Sequence, residues 1–567
     1  MRRRDLFRAS LCFVSAIVLL SSGPLAADPA SSRSTAVDYD LKVEVFADER
    51  RLAVSGSMRI PAASAPRPYV EFSLSTLMQD LQVEVAGPNA NKEAAVLEKV
   101  KTEGSWIGQD GKPNEDVVYR IRPAQPFPPD EAVDLRFSYS GNALTGLLLY
   151  VGPEVSFATA WGTTWYPQER DQPLGVGSLT ISVPAGQAAI ASGAKRSSAE
   201  DEARGSFRFE TENPTLFAFA SGKYTIVRSE GAIPTSVYLL RARENMQQYA
   251  NGAAGILKVL EKEFGAYRFK EFALVEIPRP IAQAAGFNAA TMQGFAWINS
   301  NAFNVPASNL NVLAEWYGHE FSHEWWPHVV SLERPGGRFI EEMLAEYGGL
   351  RVVETVVGAE AAERFRRQGY EPDPIYSALG YFKVVGKGID GKLGDLPADE
   401  KVRDIAYNKG FLVWDMLSRE IGREKFQQIL SAITARHVFQ KITLTELWSE
   451  IEAGAGRKLD WFYEQWFERT GAPDFALEWK QTDGVVRIAV TQPAPYYRAT
   501  LDIEFRGDQD QRLLRTMTVG GARSELTVPV EFRVASVVLD PHYYVLRWTP
   551  EYRAAAEDAR KAAAPSP

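Results

Sequence analysis

From Val37 to about Thr225, apolar and polar residues alternate in short runs such as VDYDLKVEVF, EAVDLRFSYSG and GSLTISVPAG, divided by Gly, Pro and Asn. Period two with turn-forming breaks predicts strands that each bury one face, and so many of them predict a large antiparallel β region. From Val227 to about Glu468 apolar positions recur at three and four, as in ENMQQYANGAAGILKVLEKEF, LNVLAEWYGHEFSHEWW and KFQQILSAITARH. That spacing predicts amphipathic helices around a core of their own. After Gly471-Ala472-Pro473, alternation returns in FALEWKQ, VVRIAVTQ, ATLDIEF and ASVVLD, enough for a small β-sandwich. The closing EDARKAAAPSP is read as a frayed tail. The fold class expected is therefore multidomain α+β. A β domain covers 37–225, an α-rich domain 226–470 and a C-terminal β-sandwich 471–550, with a tail over 551–567.

The first 27 residues break this pattern. Arg2-Arg3-Arg4-Asp5-Leu6-Phe7-Arg8 precedes an apolar run from Leu11 to Leu20 and then Ser-Ser-Gly-Pro-Leu-Ala-Ala, the charged, apolar, small-residue order of an export signal. Arg3-Arg4 resembles the twin-arginine form of such signals, and cleavage is expected near Ala27. A ten-residue run is too short to span a bilayer as a helix, and no later apolar run reaches 18, so no stable membrane insertion is expected after signal removal. Cys12 is the single cysteine of the 567 residues and leaves with the signal, which excludes disulfides and thiolate metal sites from the remainder. The net charge of −9, with no block of five like charges, argues against a nucleic-acid partner.

Of only five histidines, three (His319, His323 and His328) fall within ten residues. His319-Glu320-Phe321-Ser322-His323 is an HExxH sequence; on a helix, positions i and i+4 stack both imidazoles on one face at a separation suited to zinc. Such a site needs a third protein ligand. Glu341, Glu342 and Glu346 are candidates, all in FIEEMLAEYGGL, where Leu344, Tyr347 and Leu350 supply an apolar face that leaves Glu342 free to point across at the ion. His328 is one residue out of register for a third histidine ligand of the His-x-x-Gly-x-x-His type, and is read as a surface or supporting group.

The whole pattern resembles the zinc metallopeptidases of the aminopeptidase N family, peptidase family M1. HExxH followed after 18 residues by Glu342 matches its ligand spacing, HEFSHEWW is similar to its H-E-x-x-H-Q-W-F, and FIEEMLAEY to its W-L-N-E-G-F-A-x-Y. Tyr407-Asn408-Lys409-Gly410, then Val413 and Met416-Leu417, matches Y-x-K-G-x-x-V-x-x-M-L; Trp165-Tyr166-Pro167 and TLFAFASGKY resemble segments of the family's N-terminal β domain. The resemblance implies a β saddle domain, a thermolysin-like catalytic domain and a small β-sandwich. It also implies one Zn2+ per chain on His319, His323 and Glu342, Glu320 as general base, Tyr407 as oxyanion donor, and a peptide or protein substrate. Tyr376 and Tyr381 are the alternatives to Tyr407.

Departures from the family pattern bear on specificity. The family holds the free amine of its substrate with acidic groups, one of them the Glu of G-x-M-E-N; here the stretch reads Ala290-Thr291-Met292-Gln293-Gly294, and Ala158 occupies the position of a second anchor in the β domain. Met292, Gln293, Gly294 and Ala158 are thus the expected substrate-binding positions, and they lack the acids. Trp161, Trp165, Trp297, Trp325 and Trp326 are weighed both as an aromatic cleft and as ordinary core. The expectation is an exported zinc metallopeptidase with altered amino-terminal anchoring. The alternatives are a conventional aminopeptidase and a non-catalytic peptide-binding homologue.

Overall fold

The computed structural model describes residues 36–86, 95–107, 113–171, 173–229, 231–304, 313–333, 336–369, 376–397 and 402–563. The expected signal segment 1–27, with Cys12, lies outside the described residues. The β-rich beginning, helical middle and β-sheet end expected from the periodicity are all present.

The N-terminal region is built on a seven-stranded sheet centred on Val37–Phe46 and Arg51–Ile60. In VDYDLKVEVF the apolar positions Val37, Tyr39, Leu41, Val43 and Val45 are buried while the polar ones face outward, the arrangement that strand alternation dictates. Val37–Phe46 pairs in parallel with Gly175–Ser182, the exception in an otherwise antiparallel sheet. Four-stranded and five-stranded sheets complete the region. In the five-stranded one, Val155–Thr159 is buried on both faces. Its odd positions, Val155 and Phe157, pack into a core shared with Val275, Ile277, Phe295 and Trp297 of the next domain, whereas Ala158 faces the core of its own domain.

The middle domain opens on a second five-stranded sheet of β1 (Thr225–Ser229), β2 (Thr235–Leu239), β3 (Phe272–Ile277), β4 (Ala289–Met292) and β5 (Phe295–Asn299), in the order β1-β2-β3-β5-β4. Helices α1 (Met246–Phe264), α2 (Ala314–Ser322), α3 (Gly337–Val352), α4 (Ala378–Gly386), α5 (Phe411–Ile421) and α6 (Arg423–Arg436) build much of the rest. Two three-stranded sheets, 476–482/485–491/523–529 and 512–519/499–507/534–539, face each other as the C-terminal sandwich.

The closing EDARKAAAPSP, expected as a frayed tail, is instead helical as far as Ala563, the end of helix α7 (Pro550–Ala563). Tyr552 is 1% exposed, its ring stacks on Phe382 of α4, and its hydroxyl donates to the Arg367 carbonyl at 3.2 Å. Its buried side chains are Tyr552 and Ala556, four residues apart on one face. Gly386 lets the helices meet closely, since a Cβ there would lie 2.2 Å from the Ala556 carbonyl oxygen. Among the described residues no helix is long and apolar enough to cross a membrane.

Candidate metal centre and active site

His319 and His323 stand one turn apart at the end of α2, with ring centroids 5.0 Å apart. Helix α3 crosses α2 at close range because the contact is made by glycines. A Cβ on Gly318 would lie 2.9 Å from Gly349 Cα and from Val352 Cβ, one on Gly348 1.9 Å from Ser322 Oγ, and one on Gly349 3.1 Å from the Glu315 carbonyl. Glycine in a helix interior costs about 0.5–1 kcal/mol relative to alanine; here it lets the two backbones approach closely enough to share side-chain partners. The Ser322 hydroxyl donates back to the Gly318 carbonyl at 2.6 Å and occupies the space that a side chain at Gly348 would need.

That approach brings Glu342 Oε2 to 3.4 Å from His319 Nε2 and 3.5 Å from His323 Nε2. The three atoms belong to one group of ligand-bearing side chains within 4.8 Å of one another. Tetrahedral bonds of about 2.0–2.1 Å set ligand atoms about 3.3–3.4 Å apart, which is the spacing present. The other ring nitrogens are already committed. His323 Nδ1 donates to the Trp326 carbonyl at 2.8 Å, and His319 Nδ1 donates to Glu346 Oε2 at 2.7 Å. Both Nε2 atoms are thereby left facing Glu342 Oε2, which has no other hydrogen-bond partner among the described residues. Three such groups converging on one point suit a bound cation, and the carboxylate behind His319 is the kind of support that orients a metal-binding imidazole.

The electrostatics agree. Burial alone lowers the His319 pKa, but Glu342, Glu346 and Glu320 outweigh it and raise it well above the ordinary value. Burial pushes Glu342 up, yet His323 and His319 override it and hold the carboxyl well below its usual range. Burial raises Glu320, with the two imidazoles pulling the other way.

The Glu341 and Glu346 alternatives separate cleanly. Glu341 turns away and accepts from the Leu332 backbone N–H at 2.8 Å; Glu346, the other candidate ligand, is fully buried behind His319. His328 is buried too, donating from Nε2 to the Thr291 carbonyl at 3.0 Å, and burial pushes its pKa down to about 3. Tyr407 lies in a π-helical turn over Ala406–Gly410, a local widening that recurs at functional sites. Its ring stacks on His319 at 5.8 Å between centroids and packs on Tyr376 at 4.6 Å. Burial and the Glu342 charge raise its phenol pKa well above the ordinary value, so it remains a donor. The rest of its motif is scaffolding. Asn408 Oδ1 accepts from the Ser377 N–H at 2.9 Å, Lys409 Nζ donates to the Arg469 and Gly471 carbonyls, and a Cβ on Gly410 would overlap Met343, next to Glu342. Tyr381 points elsewhere, donating to Asp390 at 3.0 Å.

The expected substrate-binding positions divide. Ala158 and Met292 are fully buried in cores, so neither offers a side chain to a substrate. Gln293 and Gly294 form the two-residue turn between β4 and β5, where Gly294 takes φ +84°, a conformation glycine adopts without strain. Glu324, one residue beyond HExxH, accepts from the Gly294 N–H at 3.0 Å and from the Tyr267 hydroxyl at 3.0 Å. Gln293 Nε2 donates to the Pro214 carbonyl of the β domain at 2.8 Å. Of the five tryptophans, Trp165, Trp297, Trp325 and Trp326 are core; Trp161 is half-buried with its ring beside His328. Sequence reasoning passed over Thr291, whose hydroxyl lies on Glu320, and the glycine crossing, which two adjacent glycines inside the predicted helix FIEEMLAEYGGL could have signalled.

Fold and site together set an HExxH sequence and a third carboxylate on two crossing helices of the middle domain. Residues 249–466 match the peptidase family M1 domain. The chain is similar to aminopeptidase M1 of Arabidopsis thaliana, 23% identical over 225 residues that cover 36% of this chain and 24% of that protein. It is also similar to aminopeptidase 2 of Candida albicans, 22% identical over 326 residues, 54% of this chain and 34% of the other. Aminopeptidase N of Streptomyces lividans is 25% identical over 255 residues, 41% of this chain and 27% of that one. In fold it resembles the crystal structure of Legionella pneumophila aminopeptidase A in complex with aspartic acid. The TM-score is 0.63 at 14% identity, over 91% of this chain and 60% of the other. The chain spans about a quarter to a third of the length of these curated relatives. The similarity to these aminopeptidases is thus strongest over the helical middle of the chain, where residues 249–466 match the peptidase family M1 domain.

The glycine crossing makes a direct prediction. Gly318→Ala places a methyl against the backbone of α3, and overpacking of this kind costs about 1–3 kcal/mol. The variant is expected to melt lower and to bind less zinc than the wild type. The exposed Gly255→Ala in α1, which meets nothing within 4 Å, should bind zinc as the wild type does. Elemental analysis alongside thermal melts checks both.

Proposed function

We propose that this protein is an exported zinc-dependent peptidase with altered anchoring of the substrate's amino terminus. The observation that carries the reading is the convergence of His319 Nε2, His323 Nε2 and Glu342 Oε2, with Glu320 one residue along the same helix. A zinc ion held by these three residues would supply a Lewis acid that acidifies water and polarises a scissile carbonyl. Glu320 takes a proton from the attacking water onto its carboxylate, breaking the water O–H bond, and later delivers that proton to the leaving amine nitrogen. Tyr407 donates its hydroxyl hydrogen bond to the oxyanion that forms on the carbonyl oxygen. Glu346 and the Trp326 carbonyl hold the two imidazoles in their tautomers while this happens. Export rests on the twin-arginine-like pattern of residues 1–27.

Altered anchoring is supported by Gln293. Its amide N–H is spent on the Pro214 carbonyl, with the His328 carbonyl 3.5 Å away, so the side chain ties two domains together. A carboxylate there would face two carbonyl oxygens and have nothing to donate. A substrate ammonium therefore meets no acid at this position, and a peptide without a free amine loses little.

Chelation should abolish hydrolysis and zinc should restore it, and Glu320→Gln should keep the metal but lose turnover because an amide takes no proton. Tyr407→Phe should lower kcat about a hundred- to a thousandfold at unchanged zinc content. If Glu320→Gln turned over as the wild type does, the assignment of the base would fail. Acetylating the amino terminus of a good peptide substrate should change kcat/KM by less than about tenfold, or 1.4 kcal/mol. Efficient release of single amino-terminal residues, with a hundredfold or greater rejection of the acetylated peptide, would instead make the protein a conventional aminopeptidase.

A further inference from the structure

Thr291, at the end of β4, lies where the family pattern G-x-M-E-N has its unspecified position, and nothing in the proposed reaction requires a hydroxyl there. Its Oγ1 is nevertheless 2.9 Å from the main-chain oxygen of Glu320 and 3.1 Å from Glu320 Oε2. The residue is itself held. Thr291 pairs with Ala296 of β5, and its carbonyl accepts from His328 Nε2 at 3.0 Å; the His328 ring in turn lies beside Trp161 of the β domain. The hydroxyl is therefore presented to Glu320 from a strand edge fixed on two sides.

A threonine hydroxyl has one proton to give, and both acceptors within its reach belong to the same residue. The charged oxygen of an ionised carboxylate is the stronger acceptor, so the hydroxyl donates to Oε2 whenever Glu320 is ready to act as a base. That bond leaves Oε1, which accepts no hydrogen bond among the described residues, as the oxygen turned to the reaction. A glutamate side chain has three torsions and, without such a tether, several ways to hold its carboxylate; a tether to one oxygen reduces them to one.

We propose that Thr291 is a positioning residue for the general base. It pins Glu320 Oε2 so that Oε1 carries the proton from water to the leaving amine. The inference rests on the peptidase reading above and adds the division of labour between the two carboxylate oxygens. It calls for no group beyond the water and peptide of that reaction.

The test compares Thr291→Val, which keeps the shape and removes the hydroxyl, with Thr291→Ser, which keeps the hydroxyl, in the full zinc-loaded chain. A misplaced catalytic group costs up to about a hundredfold. Thr291→Val is therefore expected to lower kcat about ten- to a hundredfold, with KM within about twofold and zinc content and melting temperature close to wild type. Thr291→Ser is expected to recover kcat to within about threefold. A crystal structure of Thr291→Val should show the Glu320 carboxylate displaced from its wild-type rotamer. The inference is overturned if Thr291→Val turns over as the wild type does, or if the serine variant falls as far as the valine one. Loss of zinc or of the fold in Thr291→Val, with Glu320 unmoved in Thr291→Ser, would overturn it as well, since the hydroxyl would then serve the framework. A wild type without chelator-sensitive hydrolysis sinks the peptidase reading itself and this inference with it. An active wild type with an indifferent Thr291→Val sinks only the inference.

Discussion

The geometry of this site depends on how closely two helix backbones can approach. An HExxH sequence supplies two imidazoles on one helix whatever surrounds it, but the third donor belongs to another helix, and its reach is fixed by the interhelical distance. Gly318, Gly348 and Gly349 remove the side chains that would hold α2 and α3 apart. With them gone, a single stretch of α3 serves the site twice over: Glu342 meets both Nε2 atoms, and one turn later Glu346 reaches behind His319 to its Nδ1. The same logic recurs at Gly410, which lets the π turn carrying Tyr407 settle against Met343. Helix propensity is given up at each of these positions in exchange for the closeness the chemistry requires.

Around this crossing, the buried polar groups form a sequence of fixed contacts that ends in the other domain. Glu320 meets Thr291, Thr291 meets His328, and His328 lies beside Trp161 of the β domain. One residue past Met292, Gln293 reaches the Pro214 carbonyl and Gly294 the Glu324 carboxylate. The β4–β5 hairpin is thus bound both to the helix bearing the proposed base and to the β domain, while Val155, Phe157 and the residues of the β3 and β5 strands share one core beneath it. Domain placement and the surroundings of the base are consequently coupled through a few hydrogen bonds.

Much of this was legible in the sequence where a single period carried the information. Alternation marked the strand faces of Val37–Phe46, and the i, i+4 spacing of His319 and His323 with Glu342 18 residues on marked the donor cluster. What stayed hidden depended on choices that periodicity does not encode. Val155–Thr159 is buried on both faces, so its alternation could not tell that Ala158 faces its own core. Glu346 carries a charge that on most helices is solvated, and only the glycine crossing places it against His319. Helix α7 buries only Tyr552 and Ala556, and Trp325 and Trp326, just past the motif, pack on Phe264 of α1 in the core. Thr291 gave no signal at all, because one hydroxyl at a strand end acquires meaning only from the side chain opposite.

The central claim, that His319, His323 and Glu342 jointly hold one zinc ion between α2 and α3, is tested most directly by anomalous diffraction at the zinc edge on crystals of the full, zinc-loaded protein. The account predicts one strong peak per chain, about 2.0–2.1 Å from His319 Nε2, His323 Nε2 and a Glu342 carboxylate oxygen. A peak elsewhere, or none between the two helices at saturating zinc, would contradict it.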